Sequence, residues 1–356
     1  MVAIRKKILV VGGAGYIGSH VVQQLIEAGY HIVVYDNGSV GSPAAVTGGE
    51  FVLGDLADID RLYQIFARYS FSAVLHFAAS LIVPESVAQP LDYYTNNTRN
   101  TLNLVRCCKA MGVHQLVFSS TAAVYGEPQE NPVTESTLTA PINPYGRSKL
   151  MSEWLIQDYG LTSPLRYAIL RYFNVAGAAL NGQIGQPRRG THLIAAACHA
   201  VLHRQPIHIF GTNFPTSDGS AIRDYIHVED LATAHLDALR YLEAGQESKV
   251  FNCGYGQGYS VRQVIDRTQA ITNVDFPIIE SDRRPGDPAW VVACSHKIRR
   301  ELGWHPKYNN LDTIIKTALL WEIQREQRHA ETGENKQLDL QRLMHHIKKE
   351  QWQVSV

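Results

Sequence analysis

The stretch Ile8-Leu9-Val10-Val11-Gly12-Gly13-Ala14-Gly15-Tyr16-Ile17-Gly18-Ser19-His20 decides the fold. Its first four residues form a short apolar run rich in β-branched side chains, which reads as a buried parallel strand. Glycines follow at once, and the segment from Val21 to Gly29 after them has a helical pattern. Strand, glycine turn and helix together are the context that a dinucleotide site needs. The early glycines allow a tight turn and close approach of backbone to a pyrophosphate. The last glycine lets helix and strand pack closely, and the helix N-terminus offers amide hydrogens and a positive dipole end. Gly12, Gly15 and Gly18 are the anchors of this reading.

Working outward, His31 to Tyr35 reads as a second strand with Asp36 at its carboxyl end. A carboxylate about 20 residues past the glycines accepts hydrogen bonds from an adenosine ribose and repels a 2′-phosphate, so NAD is expected rather than NADP. The plainer reading is that Asp36 only opens a turn with Asn37-Gly38. Further strands are expected at 51–55, ending on Asp55 beside the adenine, and at 73–79, where Ala78 and Ala79 let the chain pass close to a cofactor. Two more are expected at 115–120 and 167–171. Helical patterns lie between most of them. This alternation predicts an α/β fold, a doubly wound, Rossmann-like parallel sheet.

The composition bounds the function. The chain has 356 residues, 45% hydrophobic and 19% charged, with 33 basic and 33 acidic side chains. That suits a packed core and gives no basic excess, so a nucleic-acid partner is not expected. Five scattered cysteines with no C-x-x-C spacing argue against a disulfide framework or a metal site and for a reducing compartment. The apolar run at the N-terminus stops at Val11, and Leu193 to Leu202 is far shorter than the ~20 residues of a membrane span. A cytoplasmic protein without a membrane partner is expected.

A second motif carries chemistry. The fifth strand runs into Ser119-Ser120-Thr121, and Pro144-Tyr145-Gly146-Arg147-Ser148-Lys149 follows. Tyr145 and Lys149 stand at i and i+4, on one face of a helix. A free phenol ionises near pH ~10, too high for a general base at neutral pH, and a neighbouring ammonium is expected to lower it. The hydroxyl of Thr121 or Ser120 would hold a substrate oxygen near the phenol.

With these motifs in place, the chain resembles the extended short-chain dehydrogenase/reductase family and, within it, the UDP-glucose (UDP-galactose) 4-epimerases. The resemblance runs from about Lys7 to about Arg325. It is carried also by His76 to Ala79, Pro90 to Asn97, Val117 to Gly126, Ile142 to Leu150, Leu170 to Ala178, Thr191 to Ile194, Phe210 to Ala232, Phe251 to Val261 and Arg283 to Ala289. It implies Tyr145, Lys149 and Thr121 as catalytic residues. Around a tightly held NAD it implies, with the glycines, Asp36 and Asp55, a shell of Tyr16, Ile17, Asn37, Leu56, Phe77, Ala78, Ala79, Asn96, Ser119, Tyr145, Lys149 and Tyr172. Around a UDP-sugar it implies Thr121, Tyr145, Asn174, His192, Leu193, Phe210, Arg223, Tyr225, Arg284 and Asp287. Two arginines suit a diphosphate clamp; the plainer reading pairs them with Asp224 or Asp282. The activity implied is inversion at sugar C4 through a transient 4-keto sugar. A homodimer through paired helices near 98–111 and 149–159 is also implied.

The chain departs from the family pattern at Val11, at Pro84 and near Leu81, where some members place a lysine that reaches the cofactor phosphates. The loop from Gln183 to Gly190 is compact and carries Arg188-Arg189. Related dehydratases and decarboxylases carry an acid directly after the catalytic threonine; Ala122 and Ala123 stand there instead, so epimerisation is favoured. The alternatives are a 4-epimerase of another UDP-sugar, an N-acetylhexosamine or a pentose, and a non-catalytic NAD-binding protein. Trp290 or Val291 falls at the sugar side of the expected pocket, where a tryptophan would crowd an N-acetyl group. The expected domains are an NAD-binding unit at 1–172, rejoined by 222–245, and a smaller mixed α/β substrate-binding unit at 173–221 and 246–325. In the tail at 326–356, a break is expected at Thr332 to Asn335. Leu338, Leu340, Leu343, Met344 and Ile347 have helical spacing that suits a short helix packed on the body, and His345-His346 lacks the neighbours of a metal site. His76 and His227 read as core residues.

Overall fold

The opening apolar run becomes β1 (Lys7–Val11), buried from its second residue onward. The computed structural model describes residues 5–187, 192–329, 340–345 and 347. β1 lies at the centre of a seven-stranded, wholly parallel sheet. On one side of it stand β2 (His31–Asp36) and β3 (Glu50–Leu53). On the other stand β4 (Ala73–His76), β5 (Gln115–Thr121), β6 (Arg166–Tyr172) and β10 (Lys249–Cys253), giving the order β3-β2-β1-β4-β5-β6-β10.

The period of two within β1 sorts its side chains. Ile8 and Val10 face a core shared with α1 (Tyr16–Glu27) and α8 (Val228–Glu243), while Leu9 and Val11 face one shared with α2 (Ile59–Tyr69), α5 (Asn100–Met111) and α6 (Pro144–Leu161). Both faces are covered, which is why the strand is apolar throughout. Each fully buried aliphatic side chain here contributes about 1.5–3 kcal/mol. The strand order reverses between β1 and β4, and in such sheets ligands bind outside the carboxyl ends of the strands at that point.

A second body begins at β7 (Asn174–Ala176). Its sheet centres on β9 (Ile222–His227), paired with β7, β11 (Gly258–Ser260) and β13 (Trp290–Val291); β8 (Ile207–Phe210) and β12 (Ile278–Ser281) form a separate parallel pair. Helices α7 (Leu193–His203), α9 (Val261–Thr272) and α11 (Leu311–His329) pack around an apolar cluster that includes Ile194, Val264, Ile315 and Leu319. Residues 340–345 and 347 are helical, and Leu340, Leu343, Met344 and Ile347 pack on this same cluster. Leu338, the break at Thr332 to Asn335 and His346 lie outside the described residues, as do Arg188, Arg189 and Thr191.

One expectation is corrected. The stretch 222–245 rejoins the large sheet only through its helix. Strand β9 itself lies in the small sheet, and the seventh strand of the large sheet is β10, from the stretch assigned to the other unit. The reason is visible in composition. A strand carrying Arg223, Asp224 and His227 does not suit a sheet covered by helices on both faces, whereas an edge position accepts Lys249 and Asn252. The two core histidines are as expected in burial. His227 Nε2 bonds Thr317 Oγ1 at 3.0 Å and its Nδ1 accepts from Glu229 N at 3.2 Å. His76 Nε2 bonds Thr101 Oγ1 at 3.0 Å, while its Nδ1 has no partner among the described residues.

Candidate active site

The site forms where the strand order reverses. Gly12 ends β1 with φ +78°, and a Cβ there would stand 2.5 Å from Ala78 N, beyond the end of β4. On Gly18 a Cβ would lie 2.3 Å from Gly12 O, so this glycine permits the tight seat of α1 against the turn. Gly15 differs: its backbone is extended, and a Cβ would meet only Gly12 O, at 3.3 Å. It is the N-cap of α1, and no side chain caps that end. The first-turn amides and the positive dipole end are thus available to an anion. Tyr16 and Ile17 contribute backbone here. The Tyr16 hydroxyl donates to Gly177 O at 2.5 Å, and Ile17 packs against the core.

Asp36 is buried at the end of β2. Its Oδ1 accepts from Gly38 N at 2.8 Å, the expected turn, but its Oδ2 accepts from Ala14 N at 3.0 Å. The carboxylate therefore also fastens the glycine loop, 22 residues away. Asp55 accepts from Asn37 Nδ2 at 2.7 Å and from Ala57 N at 2.8 Å. The Leu56 side chain lies in the core and its carbonyl accepts from Asn103. Phe77 and Tyr172 flank His235 of α8, with ring centroids at 4.8 and 5.6 Å. No local pattern marks His235 in the sequence; only the tertiary fold brings it there.

The catalytic candidates converge on the end of β5. The Asn143 side chain accepts from Gly146 N at 2.8 Å and caps α6, and Pro144 opens that helix with Tyr145 next. The Thr121 hydroxyl lies close enough to the Tyr145 phenol to influence its ionisation, and the Tyr93 ring packs edge-on to that phenol with centroids 6.5 Å apart. One turn on, Lys149 is buried, with its Nζ 4.4 Å from the Phe118 ring centroid. Burial lowers its ammonium to about 7, against the opposing attraction of Glu153. The phenol departs from expectation: burial raises the Tyr145 pKa, and the opposing influence is the Thr121 hydroxyl, not the lysine. An ammonium lowered to about 7 has already lost its proton where a phenol raised above its ordinary value ionises. Asn96 sits in a π-helical turn (Tyr94–Arg99), donating to Ser80 Oγ at 2.9 Å and accepting from Asn100 at 3.2 Å. Its neighbour Asn97, which sequence reasoning missed, ties Ser80 O to Ser148 Oγ on α6, both at 2.9 Å. Ser119 lies on β5 near the Tyr172 hydroxyl, and Ala79 follows Ala78 in the same loop.

A second cluster lies on the smaller body. The Arg284 guanidinium stacks 4.3 Å from the Phe210 ring centroid and its Nε bonds Asp287 Oδ2 at 3.0 Å. Arg223 donates to Ile222 O at 2.8 Å and Pro288 O at 2.6 Å. Burial is the chief cause that lowers its pKa; Asp287 and Tyr225 oppose this and Arg284 adds to it. The arginines thus do not form the alternative ion pairs: Asp224 is buried and accepts from the amides of Tyr255, Gly256 and Ala293, and burial pushes it up to about 6. Asn174 opens β7 opposite Tyr225 of β9. His192 caps α7, Nδ1 accepting from Ala195 N and Nε2 bonding Gln186 Oε1 at 2.7 Å, and Leu193 begins that helix. Burial lowers His192 to about 4.

Trp290 is 46% exposed on β13, while Val291 on the opposite face packs with Tyr125, Val124 and Phe173 beside Ala122.

The model of the NAD dependent epimerase/dehydratase family matches residues 8–254, which spans the large sheet from its central strand to its last. A UDP-glucose 4-epimerase of Azospirillum brasilense is 48% identical over 93% of this chain and 96% of its own length. The crystal structure of UDP-glucose 4-epimerase from Brucella ovis in complex with NAD superposes with a TM-score of 0.85 at 42% identity, covering 88% of this chain and 97% of that one. The enzyme of that name from Bifidobacterium longum, solved with NAD+ and UDP, gives a TM-score of 0.84 at 35% identity, covering 90% and 98%.

Proposed function

This chain belongs to the NAD dependent epimerase/dehydratase family, and from that premise we propose that it interconverts UDP-glucose and UDP-galactose by inverting sugar C4. The observation that carries the reading is Tyr145 and buried Lys149 one turn apart on α6 with Thr121 at the carboxyl end of β5, across β4 from the glycine cradle of β1. The residues present fit NAD: Gly12, Gly15 and Gly18 leave backbone open to a pyrophosphate, and Asp36 at the end of β2 suits a ribose. When bound, NAD supplies the acceptor and donor of hydride.

The chain's own residues do the rest. Tyr145 takes the proton from the sugar O4 and later returns it, Thr121 holds the phenol and the oxygen in line, and Lys149 stands one turn on along the same helix face. Arg223 and Arg284, two cations with only Asp287 between them, complement the diphosphate, and Phe210 packs on the uridine. Asn174, His192, Leu193 and Tyr225 complete the nucleotide side. A 4-keto sugar anchored through its UDP half is free to present its other face. Ala122 and Ala123 provide no acid for elimination at the next carbons.

We place the cofactor unit at 1–172 with α8 and β10, and the substrate unit in the remainder to about 325. α5 and α6 are proposed as the homodimer face, since Met111, Met151, Trp154 and Leu161 are exposed there; sedimentation measures this. A cytoplasmic location is supported by five free cysteines. The deciding experiment is turnover of purified protein on UDP-galactose with no cofactor added, with UDP-N-acetylgalactosamine in parallel. Conversion to UDP-glucose supports the reading; none, even after NAD is supplied, refutes it.

A further inference from the structure

Glu153 lies one turn beyond Lys149 and two beyond Tyr145 on α6, and it is fully buried. Its carboxylate accepts from Arg171 Nε at 3.0 and 3.2 Å and from Nη2 at 2.6 Å, and also accepts the Ser120 hydroxyl. Arg171 is buried as well and donates to the Tyr125 hydroxyl at 3.1 Å, which donates to Asn252 Oδ1 at 2.6 Å. Desolvation cancels most of the attraction in such a pair, so stability alone is a poor reason for its presence. Its placement is more telling. Ser120 precedes Thr121 on β5, Glu153 follows Lys149 on α6, and Arg171 precedes Tyr172 on β6. One carboxylate therefore fastens together three elements that each carry a site residue.

We propose that Glu153 is a positioning residue: braced by Ser120 and Arg171, it locks the helix bearing Tyr145 and Lys149 onto β5 and β6, with its carboxylate one helical turn from Lys149. For the reaction involved, this rests on the proposed epimerase activity. Glu153 is the carboxylate among the groups that the described elements bring around Lys149. On α6 itself the other titratable groups are Tyr145, the exposed Arg147 and Asp158, and Tyr159, which packs against the core under that helix. From β4 comes His76, which burial keeps neutral at about 3. From β5 come the Phe118 ring and the hydroxyls of Ser119, Ser120 and Thr121. From β6 come Arg171 and Tyr172, and from the turn after β5 comes Tyr125. The π-helical turn and α5 present the neutral Asn97, Thr98 and Thr101. Near Tyr145, the Glu85 carboxylate is bonded to the Tyr93 hydroxyl at 2.8 Å. The attraction of Glu153 opposes the burial of Lys149.

The test uses Glu153→Gln, Glu153→Asp and the double variant Glu153→Gln/Arg171→Met, which leaves no orphaned charge where the single change does not fold. Two readouts are taken: kcat and KM for UDP-galactose across pH, and the titration of the Lys149 Cε resonance in carbon-labelled protein, assigned with Lys149→Met. In Glu153→Gln, where the anion is lost and Arg171 remains, Lys149 is expected to ionise about one pH unit lower. The basic limb of kcat follows it, while KM changes less than about twofold. Glu153→Asp keeps the wild-type positions of both. The double variant, which loses an anion and a cation together, reports lost positioning through a lower kcat. A folded Glu153→Gln with a wild-type Lys149 titration and pH profile overturns the inference, as does a wild-type kcat in the double variant or a loss confined to KM. Wild-type protein without turnover refutes the proposed function instead, and the resonance titration still decides the role of Glu153.

Discussion

Replacing Gly12 and Gly15 separately with alanine distinguishes a glycine needed by the fold from one needed by a ligand. At Gly12 the new residue must hold φ +78°, a left-handed conformation that costs a non-glycine residue about 1–2 kcal/mol. Its Cβ would also stand 2.5 Å from Ala78 N and 2.9 Å from Ala78 Cα. Both are backbone atoms, so the β4 loop must shift, an overpacking that costs about 1–3 kcal/mol more. The sum of about 2–5 kcal/mol lowers Tm by about 3–7 °C at this chain length and distorts the cradle. At Gly15 the backbone is extended and the Cβ meets only Gly12 O at 3.3 Å. The cost to the fold there is that of a poorer N-cap, under about 1 kcal/mol. If the open side of Gly15 is where a pyrophosphate approaches, the added methyl group stands in its path, and NAD affinity falls by about tenfold or more, at 1.4 kcal/mol per decade. The assays are thermal unfolding and calorimetric titration with NAD after the cofactor has been stripped. The expected pattern is a large fall in Tm for Gly12→Ala, and a nearly unchanged Tm with weakened NAD binding for Gly15→Ala. Wild-type NAD affinity in Gly15→Ala would refute the assignment of that surface to the pyrophosphate.

Three further outcomes are expected. Tyr145→Phe removes the general base and lowers turnover by about 10²–10⁴-fold with Tm nearly unchanged; initial rates within tenfold of wild type would exclude Tyr145 from that role. Arg284→Ala breaks both the stack on Phe210 and the pair with Asp287, and should raise KM for the UDP-sugar by about tenfold with little change in kcat; an unchanged KM removes Arg284 from the diphosphate site. Stability should fall on mild acidification. Burial lowers His76 and His227 to about 3 and His235 to about 4, below the ordinary 6.5, so the unfolded chain binds these protons first. Their stabilisation is complete above the ordinary value and is lost as pH falls toward the folded values, about 2 kcal/mol each by pH 5. Asp224, raised by burial to about 6, works in the opposite sense and offsets part of this. Melting curves from pH 7 to pH 5 that stay level or rise would contradict this balance.

What the sequence makes legible is whatever neighbours along the chain encode together. The strand, glycines and helix from Ile8 to Gly29, and the helix face of Tyr145 and Lys149, depend on periods of two and of three to four residues. The folded chain places them at the carboxyl ends of β1 and β5 as those periods require. Features set by long-range pairing are not legible in this way. Whether β9 or β10 completes the large sheet depends on which strand meets β6, and only the registry Lys249↔Ala168 to Cys253↔Tyr172 decides it. Trp290 and Val291 are adjacent in sequence and point to opposite faces, and the face of each is set by the pairing of β13 with β9.

Glu153 marks the boundary between the two kinds of information. Its spacing from Tyr145 and Lys149 is written in the helix period, so its place on the same face is readable from the chain alone. Its meaning is not, because a glutamate at that spacing on an exposed face would be one more solvated charge. What changes its meaning is Arg171, 18 residues away on β6, and Ser120, 33 residues away on β5. These partners meet it only once the parallel strands are side by side and α6 has crossed over them. A buried carboxylate with this many donors has no freedom to relax, so a displacement of α6 must break bonds to both strands at once. The local pattern brings the phenol and the ammonium to one face, and the long-range pairing fixes where that face stands.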